Sequence, residues 1–370
     1  MLKKSVVLLS LLLVFAMLFT ACSPAAPAPA PEEPAPAEEP AEEVVEEPAE
    51  EPAEEGATGL GMGLVTSIAK STDAGDNPAR AQVDTVIAVA LFDAEGRVVD
   101  VIIDNAQTRV QYDEEMKVAS DKTAEIKTKV ELGDDYGMLR ASGIGKEWYE
   151  QIAALEQWMV GKTVAEIKAL PVKVVDDAHQ NVPDIPELTS SVTITVEGYI
   201  EAVEKAYNTM VPVTGAAKLG LGTGVSIAKS TDAGDNPARA QVDTTVSAVA
   251  FDEAGVVVGA IIDNAQTRVQ YDEEGKVASD KTAEIKSKLE LGEDYGMLRA
   301  SGIGKEWFEQ SAALSEWMVG KTVAEINALP VKVVDDSHQN VPDVPELTSS
   351  VTITVESYLA AVTEAYERAR

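Results

Sequence analysis

The sequence predicts an α+β fold of two tandem, near-identical domains, in each of which antiparallel β-hairpins pack against C-terminal helices. Three observations support this prediction. Segments rich in Val, Ile and Ala flank a glycine-containing turn in the first half of a unit, apolar residues recur at helical spacing in its second half, and the whole unit occurs twice. Strands followed by helices, rather than alternating with them, favour an α+β fold over a parallel sheet.

The unit recurs at a constant offset of 159 residues, so that Trp148 returns as Trp307. A repeat of about 150 residues far exceeds the period of a solenoid and has the size of a whole domain. We therefore predict a first domain at 57–207, a linker at 208–218 and a second domain at 219–370. So short a linker limits how far the two domains can separate.

Two hairpins are predicted in the first half of the unit. The segments 83–92 and 97–103 are rich in strand-forming residues and flank the turn Asp93-Ala94-Glu95-Gly96, where the glycine supplies a positive φ. A second hairpin is predicted to pair 108–112 with 117–120. Each repeat should therefore begin with an antiparallel sheet.

Three helices are predicted in the second half of the unit. The first carries an apolar stripe at spacings of four, three and four, formed by Trp148, Ile152, Leu155 and Met159. Thr163 and Glu166 have capping-box spacing and open a short helix that Pro171 ends. The last helix is expected to begin behind Thr195 as its N-cap, and its apolar face consists of Val196, Tyr199, Ile200, Val203 and Tyr207.

The first 21 residues predict a lipoprotein signal peptide. Lys3 and Lys4 precede an apolar run at 5–19 that is too short and too close to the start to indicate a permanent membrane span. The stretch Leu-Phe-Thr-Ala-Cys that ends at Cys22 resembles a bacterial lipobox, in which the cysteine receives a diacylglyceryl group. The resemblance implies an anchor on the extracytoplasmic face of a bacterial membrane; the alternative is an ordinary secretory signal that leaves a free thiol.

Residues 22–56 combine the lipidated Cys22 with a predicted disordered tether. The segment 23–56 is almost wholly Ala, Pro and Glu, with nine prolines and twelve glutamates. Proline interrupts helices and sheets, and like charges extend a chain. At about 3.1 Å per residue, an extended segment of this length reaches on the order of 100 Å. We expect it to hold the two domains away from the lipid.

Composition and spacing exclude several kinds of site. A net charge of −33 opposes binding to nucleic acid, whose phosphates attract Lys and Arg. Cys22 is the single cysteine, so once it is lipidated no thiol remains for a disulfide or a metal. The segment 142–146 lacks two of the residues that define a nucleotide-binding loop. His179 is predicted to be exposed or locally hydrogen-bonded, and 73–77 to be a turn rather than a calcium loop.

A cluster of hydroxyl side chains precedes the last predicted helix. It runs from Glu187 to Thr195 as Glu-Leu-Thr-Ser-Ser-Val-Thr-Ile-Thr. The first amide groups of a helix lack intrahelical partners and the helix dipole is positive there, so that a phosphate can be held without Lys or Arg. The cluster is therefore a candidate phosphate site; the alternative is an ordinary capped helix entry after a Thr/Ser-rich strand.

The order of hairpins, a glycine-containing segment, helices and a hydroxyl-rich turn resembles the FMN-binding domain of exported bacterial flavoproteins. In that family the turn reads roughly Asp-x-x-Ser-Gly-Ala-Thr-x-Thr/Ser, and a flavin transferase can join FMN through its phosphate to the Thr. The resemblance implies that Thr193 and Thr352 carry the flavin. The other residues that it places at the cofactor are Ser190, Ser191 and Thr195 and, in the second repeat, Ser349, Ser350 and Thr354.

Tandem domains on an acidic, lipid-anchored tether are similar to lipoproteins that carry electrons outward from some Gram-positive membranes. The resemblance thus implies a redox carrier with protein partners rather than a turnover enzyme, and the alternative is a cofactor-free binding or structural lipoprotein. Ser191 and Val192 stand where the family has Gly and Ala, which favours the alternative because both restrict close approach of the backbone. Trp148, Tyr149 and Trp158 are expected in the core rather than stacked on a flavin.

Overall fold

The computed structural model describes residues 56–336 and 338–370. The predicted signal peptide at 1–21, Cys22 with its lipid anchor, and the tether up to residue 55 lie outside the described residues. No helix in the described part of the chain combines the length and the apolar character that a membrane span needs.

The first repeat is an antiparallel sheet followed by helices, as the sequence predicts. Its long strands are β1 (Gly59–Ser67), β2 (Arg80–Phe92) and β3 (Val98–Gln111). Its helices are α1 (Lys129–Leu132), α2 (Trp148–Met159), α3 (Val164–Lys168) and α4 (Glu197–Asn208). Its short strands are β4 (Val172–Lys173), β5 (Val182–Pro183) and β6 (Val211–Pro212). A 3-10 turn at Gly133–Tyr136 continues from α1.

The second repeat reproduces this order. Its long strands are β7 (Lys218–Ser226), β8 (Arg239–Phe251) and β9 (Val257–Gln270). Its helices are α5 (Lys288–Leu291), α6 (Trp307–Met318), α7 (Val323–Asn327) and α8 (Glu356–Glu367). Two short strands, β10 (Val331–Lys332) and β11 (Val341–Pro342), pair with each other. The fold class is therefore α+β in both repeats.

The main sheets have the strand orders β3-β2-β1-β6 and β7-β8-β9. The first predicted hairpin is confirmed: the Gly96 amide donates to the Asp93 carbonyl at 3.1 Å, and Gly96 has a φ of +74°. The second is only partly right, because 108–111 belongs to the long strand β3 and its predicted partner contributes a single bridge, between Tyr112 and Val118. The Val118 amide donates to the Asp232 carboxylate of the second repeat at 2.9 Å.

The two faces of the first sheet pack against different parts of the molecule. Residues Ala88, Ala90 and Phe92 of β2 join the helices in one apolar core. The alternate residues Ile87, Val89 and Leu91 pack against the second sheet. Their partners are the residues 159 positions later, Val246, Ala248 and Ala250. The two sheets therefore lie face to face, with the helices on the outside of each.

Contacts between the repeats are reciprocal, as in a twofold-symmetric dimer. The Asp73 carboxylate accepts a hydrogen bond from the Val277 amide at 2.9 Å, and the equivalent Asp232 accepts one from the Val118 amide at 2.9 Å. Tyr112 meets its own copy, Tyr271, edge to face with ring centroids 5.2 Å apart. The segment 73–77 is thus a turn, as predicted, and it also joins the repeats.

The helical predictions hold apart from one cap. All four residues of the predicted α2 stripe are buried, and Thr163 caps α3 with the predicted capping box. α4 begins at Glu197 with Val196 as its N-cap, and no side chain caps it. The predicted N-cap at Thr195 is therefore wrong. The Val196 amide donates to the Asn181 carbonyl at 3.1 Å, and this contact places the helix start one residue later.

Candidate functional site

The hydroxyl-rich segment before α4 is a turn and not a strand. The Leu188 amide donates to the Ile185 carbonyl at 3.1 Å, and the Val192 amide donates to the Leu188 carbonyl at 2.8 Å. Several residues of irregular backbone then lead to Glu197, where α4 begins. The cluster therefore ends at Thr195, directly before the N-cap Val196, but none of its hydroxyl groups caps the helix.

Thr193 is half-buried and contacts α2. Its main-chain amide donates to Oε1 of Gln151 at 2.9 Å, and its hydroxyl lies 3.2 Å from the same oxygen and 3.3 Å from the Ser142 carbonyl. Gln151 is completely buried. The second repeat repeats this arrangement, with the Thr352 amide donating to Gln310 at 2.8 Å. The Thr193 amide, which a phosphate at this turn would need as a hydrogen-bond donor, is therefore already bonded to Gln151.

A cavity of about 430 Å³ lies beside Thr193 in the first repeat. One wall is the turn, through Thr189, Val192 and Thr193. A second wall is the loop 141–144, and the third carries charged residues of the hairpin that joins β4 and β5. Ligand pockets usually have volumes of about 300–1,000 Å³, so this cavity can hold a small molecule or a large part of a cofactor.

The remaining predicted site residues lie away from this cavity. Ser190 is exposed, and the Ser191 hydroxyl donates to the Leu188 carbonyl at 3.3 Å. Thr195 is half-buried and does not line the cavity. In the second repeat, Ser349 is exposed, Thr354 is half-buried and the Ser350 hydroxyl donates to the Leu347 carbonyl at 3.3 Å. Of the predicted residues in the first repeat, the structure brings Thr193 alone to the cavity.

The loop between the 3-10 turn and α2 is held by Glu147. Its buried carboxylate accepts hydrogen bonds from the amides of Met138 and Leu139, each at 2.8 Å. The Lys146 amide donates to the Ser142 hydroxyl at 2.9 Å. Gly143, which lines the cavity, has a φ of +62°, a conformation that other residues adopt at a cost. These contacts give the cavity wall a defined shape.

Charged side chains line the third wall. The Lys173 ammonium group lies 2.8 Å from the Asp184 carboxylate, and the His179 ring nitrogen Nδ1 lies 2.8 Å from Asp176. This hydrogen bond holds the pKa of Asp176 below its usual range. His179 is half-exposed and locally hydrogen-bonded, as predicted. Among the described residues, no group of three or more His, Cys, Asp or Glu side chains is arranged to hold a metal ion.

The aromatic residues of α2 have three different environments. Trp148 is buried, and its indole Nε1 donates to the Tyr199 hydroxyl at 3.0 Å. Trp158 is partly buried against the same core. Tyr149 is exposed and its hydroxyl donates to Asp134 at 3.1 Å, so its predicted core position is wrong. It points away from the helix stripe that faces the sheet.

The side chain of Lys129 lies between the rings of Tyr136 and Trp148. Its ammonium group is 4.8 Å from the ring centroid of Tyr136 and 5.1 Å from that of Trp148. Burial lowers the pKa of Lys129 to about 8, because it penalises the charged form. The cation–π contacts and the carboxylate of Asp84 favour the charged form and so act against burial. Lys288 repeats the arrangement in the second repeat.

Sequence reasoning missed Gln151 and Glu147. Gln151 lies three residues after Trp148 and one before Ile152, which places an amide within the apolar stripe of α2. A polar side chain at such a position needs a buried hydrogen-bond partner, so its place in the apolar stripe could have identified Gln151 as a residue of interest. The partner, Thr193, is 42 residues away, so the pair itself could not be read from local spacing.

Comparisons with known proteins add one short similarity. No protein-family model and no solved structure matches the chain. A chlorophenol reductase from Desulfitobacterium hafniense is 51% identical over 41 residues. This match covers 11% of the present chain and 12% of that protein. So short a match shows no family.

Proposed function

We propose that the chain is a lipoprotein, anchored through Cys22 on the extracytoplasmic face of a bacterial membrane, whose two domains carry electrons by means of bound FMN. One observation carries the proposal: Thr193, the residue that corresponds to the flavin-bearing threonine, borders a cavity of about 430 Å³. The acidic tether and the tandem repeat support the same function. Redox proteins at the membrane and outside it are the proposed partners.

The residues around the cavity fit a phosphorylated cofactor in their chemistry. The Thr193 hydroxyl can form a phosphoester, and Lys173 and His179 supply hydrogen-bond donors on the opposite wall. The side-chain oxygen of the buried Gln151 accepts hydrogen bonds from both the main-chain amide and the hydroxyl of Thr193. When bound, FMN would supply the electron transfer, and the protein would supply its position and its electrostatic surroundings.

Coexpression with a flavin transferase tests the proposal. The mature chain should then give a yellow, UV-fluorescent band that persists through denaturing electrophoresis, because a phosphoester survives unfolding. Each single change, Thr193→Val or Thr352→Val, should remove about half of the bound flavin, since each repeat carries one threonine. The double change should remove all of it. Absorbance and intact mass measure the loading.

Thr189→Val is the matched control in the first repeat. Thr189 also lines the cavity, but its hydroxyl donates to the Ile185 carbonyl at 3.0 Å and does not correspond to the flavin-bearing position. This variant should retain full loading. A colourless wild-type chain of unmodified mass, in cells where a known flavoprotein is loaded, together with no spectral change on adding FMN, would contradict the proposal.

A specific observation favours a second function, a cofactor-free binding or structural lipoprotein. The amide and the hydroxyl of Thr193 are both engaged by Gln151, and Thr352 is engaged by Gln310 in the same way. A threonine held in this manner stabilises the helix contact whether or not a cofactor is present. This function predicts that Thr193→Val lowers stability without any loss of flavin, because none is bound.

The lipid anchor is tested separately. Cys22→Ser removes the thiol that would receive the lipid, so the variant should leave the detergent phase or accumulate as an unprocessed precursor. Detergent partitioning and intact mass measure both effects. Unchanged partitioning would contradict the anchor and would leave the flavin proposal untouched.

A further inference from the structure

A second and larger cavity lies in the second repeat, beside the outer edge of β9. Its volume is about 520 Å³. The edge strand contributes 258–262, α6 contributes residues between Ser311 and Val319, and Val211 and Pro212 of β6 close one side. The walls are mainly apolar, and Glu316 is the charged side chain among the lining residues. This cavity is far in sequence from the Thr193 site and shares no lining residue with it.

The equivalent edge in the first repeat is filled by side chains. Arg370, the last residue of the chain, donates from Nη2 to the Val101 carbonyl and to Oε2 of Glu156, each at 2.6 Å. The other oxygen of Glu156 accepts a hydrogen bond from the Ile103 amide at 2.7 Å. The outward carbonyl and amide of the edge strand β3 are therefore both satisfied.

The second repeat has lost these partners. At the offset of 159, Glu156 becomes Ser315, Ile152 becomes Ser311, and the position of Arg370 is taken by Val211. The Ser311 hydroxyl donates to the Ile262 carbonyl at 2.8 Å.

Three polar groups consequently face the cavity without a partner. Within the described residues, the Ala260 carbonyl accepts no side-chain hydrogen bond of the kind that Val101 accepts from Arg370, and the Ile262 amide donates none of the kind that Ile103 donates to Glu156. Ser315 is 8% exposed, lines the cavity, and its hydroxyl makes no hydrogen bond to any residue that the structure describes. Unpaired polar groups in an apolar setting cost free energy that a suitable ligand recovers.

We propose that this cavity binds a short extended peptide segment, which pairs with the outer edge of β9 and places an apolar side chain in the cavity. An outward carbonyl at Ala260 and an outward amide at Ile262 present the alternation that an added strand recognises. A purely aliphatic ligand would leave both groups and Ser315 unpaired. An anionic ligand would meet Glu316 and no cation among the lining residues. The inference is independent of flavin binding.

The probe is the blocked tetrapeptide acetyl-Ala-Val-Ala-Val-amide, added to the mature full chain. We expect saturable binding with a dissociation constant between about 10 μM and 1 mM, as is reasonable for a few main-chain hydrogen bonds and one buried side chain. The backbone amide resonance of Ile262 should shift downfield and its hydrogen exchange should slow. A peptide of the same sequence with methylated backbone nitrogens should bind at least about tenfold more weakly.

The first repeat supplies the matched variant. Ser311→Ile combined with Ser315→Glu gives α6 the residues that α2 has at these positions, so that the new glutamate can accept from the Ile262 amide as Glu156 accepts from Ile103. This variant should weaken binding of the probe at least about tenfold. Ser315→Ala, which only removes a hydroxyl, should weaken it by a smaller factor and serves if the double variant does not fold. Glu253→Gln, at an exposed residue of the turn between β8 and β9 that does not line the cavity, should leave binding unchanged.

Two results would overturn the proposal. One is an Ile262 resonance that does not move at millimolar peptide. The other is equal binding of the methylated peptide, which would show that the cavity takes an apolar group without strand pairing.

Discussion

Asp104 and Asp263 occupy the same position in the two repeats, and their surroundings differ by one charge. Each accepts hydrogen bonds from main-chain amides; Asp104 also lies 3.7 Å from the Arg368 guanidinium. Asp263 forms no salt bridge within the described residues, and burial raises its pKa to about 6. Burial also raises the pKa of Asp104, with Arg368 acting in the opposite direction. The two repeats thus share the carboxylate, and the first has an arginine beside it.

Asp263→Asn should stabilise the protein at pH 7. The folded-state pKa of Asp263 lies above its ordinary value of 3.8, so its favourable contribution is complete below about pH 4 and is lost as the pH rises through about 6. Removal of the ionised group should raise the free energy of unfolding by about 1–3 kcal/mol at pH 7 and by little at pH 4. Urea unfolding at both pH values measures the difference.

Asp104→Asn is the control for this effect. It removes the negative partner of the partly buried Arg368, so its gain at pH 7 should be smaller or become a loss. Equal stabilisation by both substitutions would show that Arg368 does not distinguish the two carboxylates.

At the scale of elements, the first strand and the last helix of each repeat pack in direct backbone contact. β1 contains Gly61 and Gly63, and a Cβ atom at these positions would overlap the carbonyl oxygens of Ala206 and Ala202 in α4. The same relation holds for Gly220 and Gly222 under α8. Glycine weakens a strand by itself, and here it is required because the helix backbone lies directly on the sheet.

Gly63→Ala should therefore lower the free energy of unfolding by about 2–4 kcal/mol, since the helix must move to admit one methyl group. Gly224→Ala in β7 is the matched control. A Cβ there would meet the Thr245 side chain at 4.0 Å, an ordinary contact, and the substitution should change stability by less than about 1 kcal/mol. Chemical denaturation of both variants measures this, and similar losses would contradict close helix packing as the cause.

At the scale of the described molecule, the two repeats form an internal dimer with a shared apolar core. One interface cluster joins residues of β1 and β2 to residues of β7 and β8, and a second surrounds the Tyr112–Tyr271 pair. Main-chain contacts are reciprocal: the Ala74 amide donates to the Gly275 carbonyl and the Ala233 amide to the Met116 carbonyl, each at 2.9 Å. The repeats are thus joined by far more than the connecting segment.

A protease site inserted at the exposed Thr214–Gly215 tests whether the two repeats stay associated without the connecting segment. After complete cleavage, the two halves should elute together from a sizing column at micromolar concentration and unfold in one transition, because the buried interface holds them. Light scattering at the column outlet gives the mass of the eluting species and so distinguishes joined halves from separated ones. Separate elution without denaturant would contradict an internal dimer.

The sequence alone determined the features that depend on neighbours along the chain. The repeat, the first hairpin with its turn at Gly96, the stripe of α2 and the capping box at Thr163 all follow from local spacing and conformational preference. The α+β fold class follows from their order. These features account for most of the elements, though for little of the candidate site.

The tertiary structure alone decided which faces meet. Tertiary contacts bring Gln151 to Thr193 and place the start of α4 after Thr195. The glycine-rich segment 59–67 forms a strand because its glycines let the helix α4 pack directly on it. The tertiary structure also paired the sheets and left the edge of β9 open, where residues of α6 and Val211 of β6 differ from those that fill the edge in the first repeat. Such contacts join residues far apart in the chain, and their energy depends on partners that local sequence patterns do not identify.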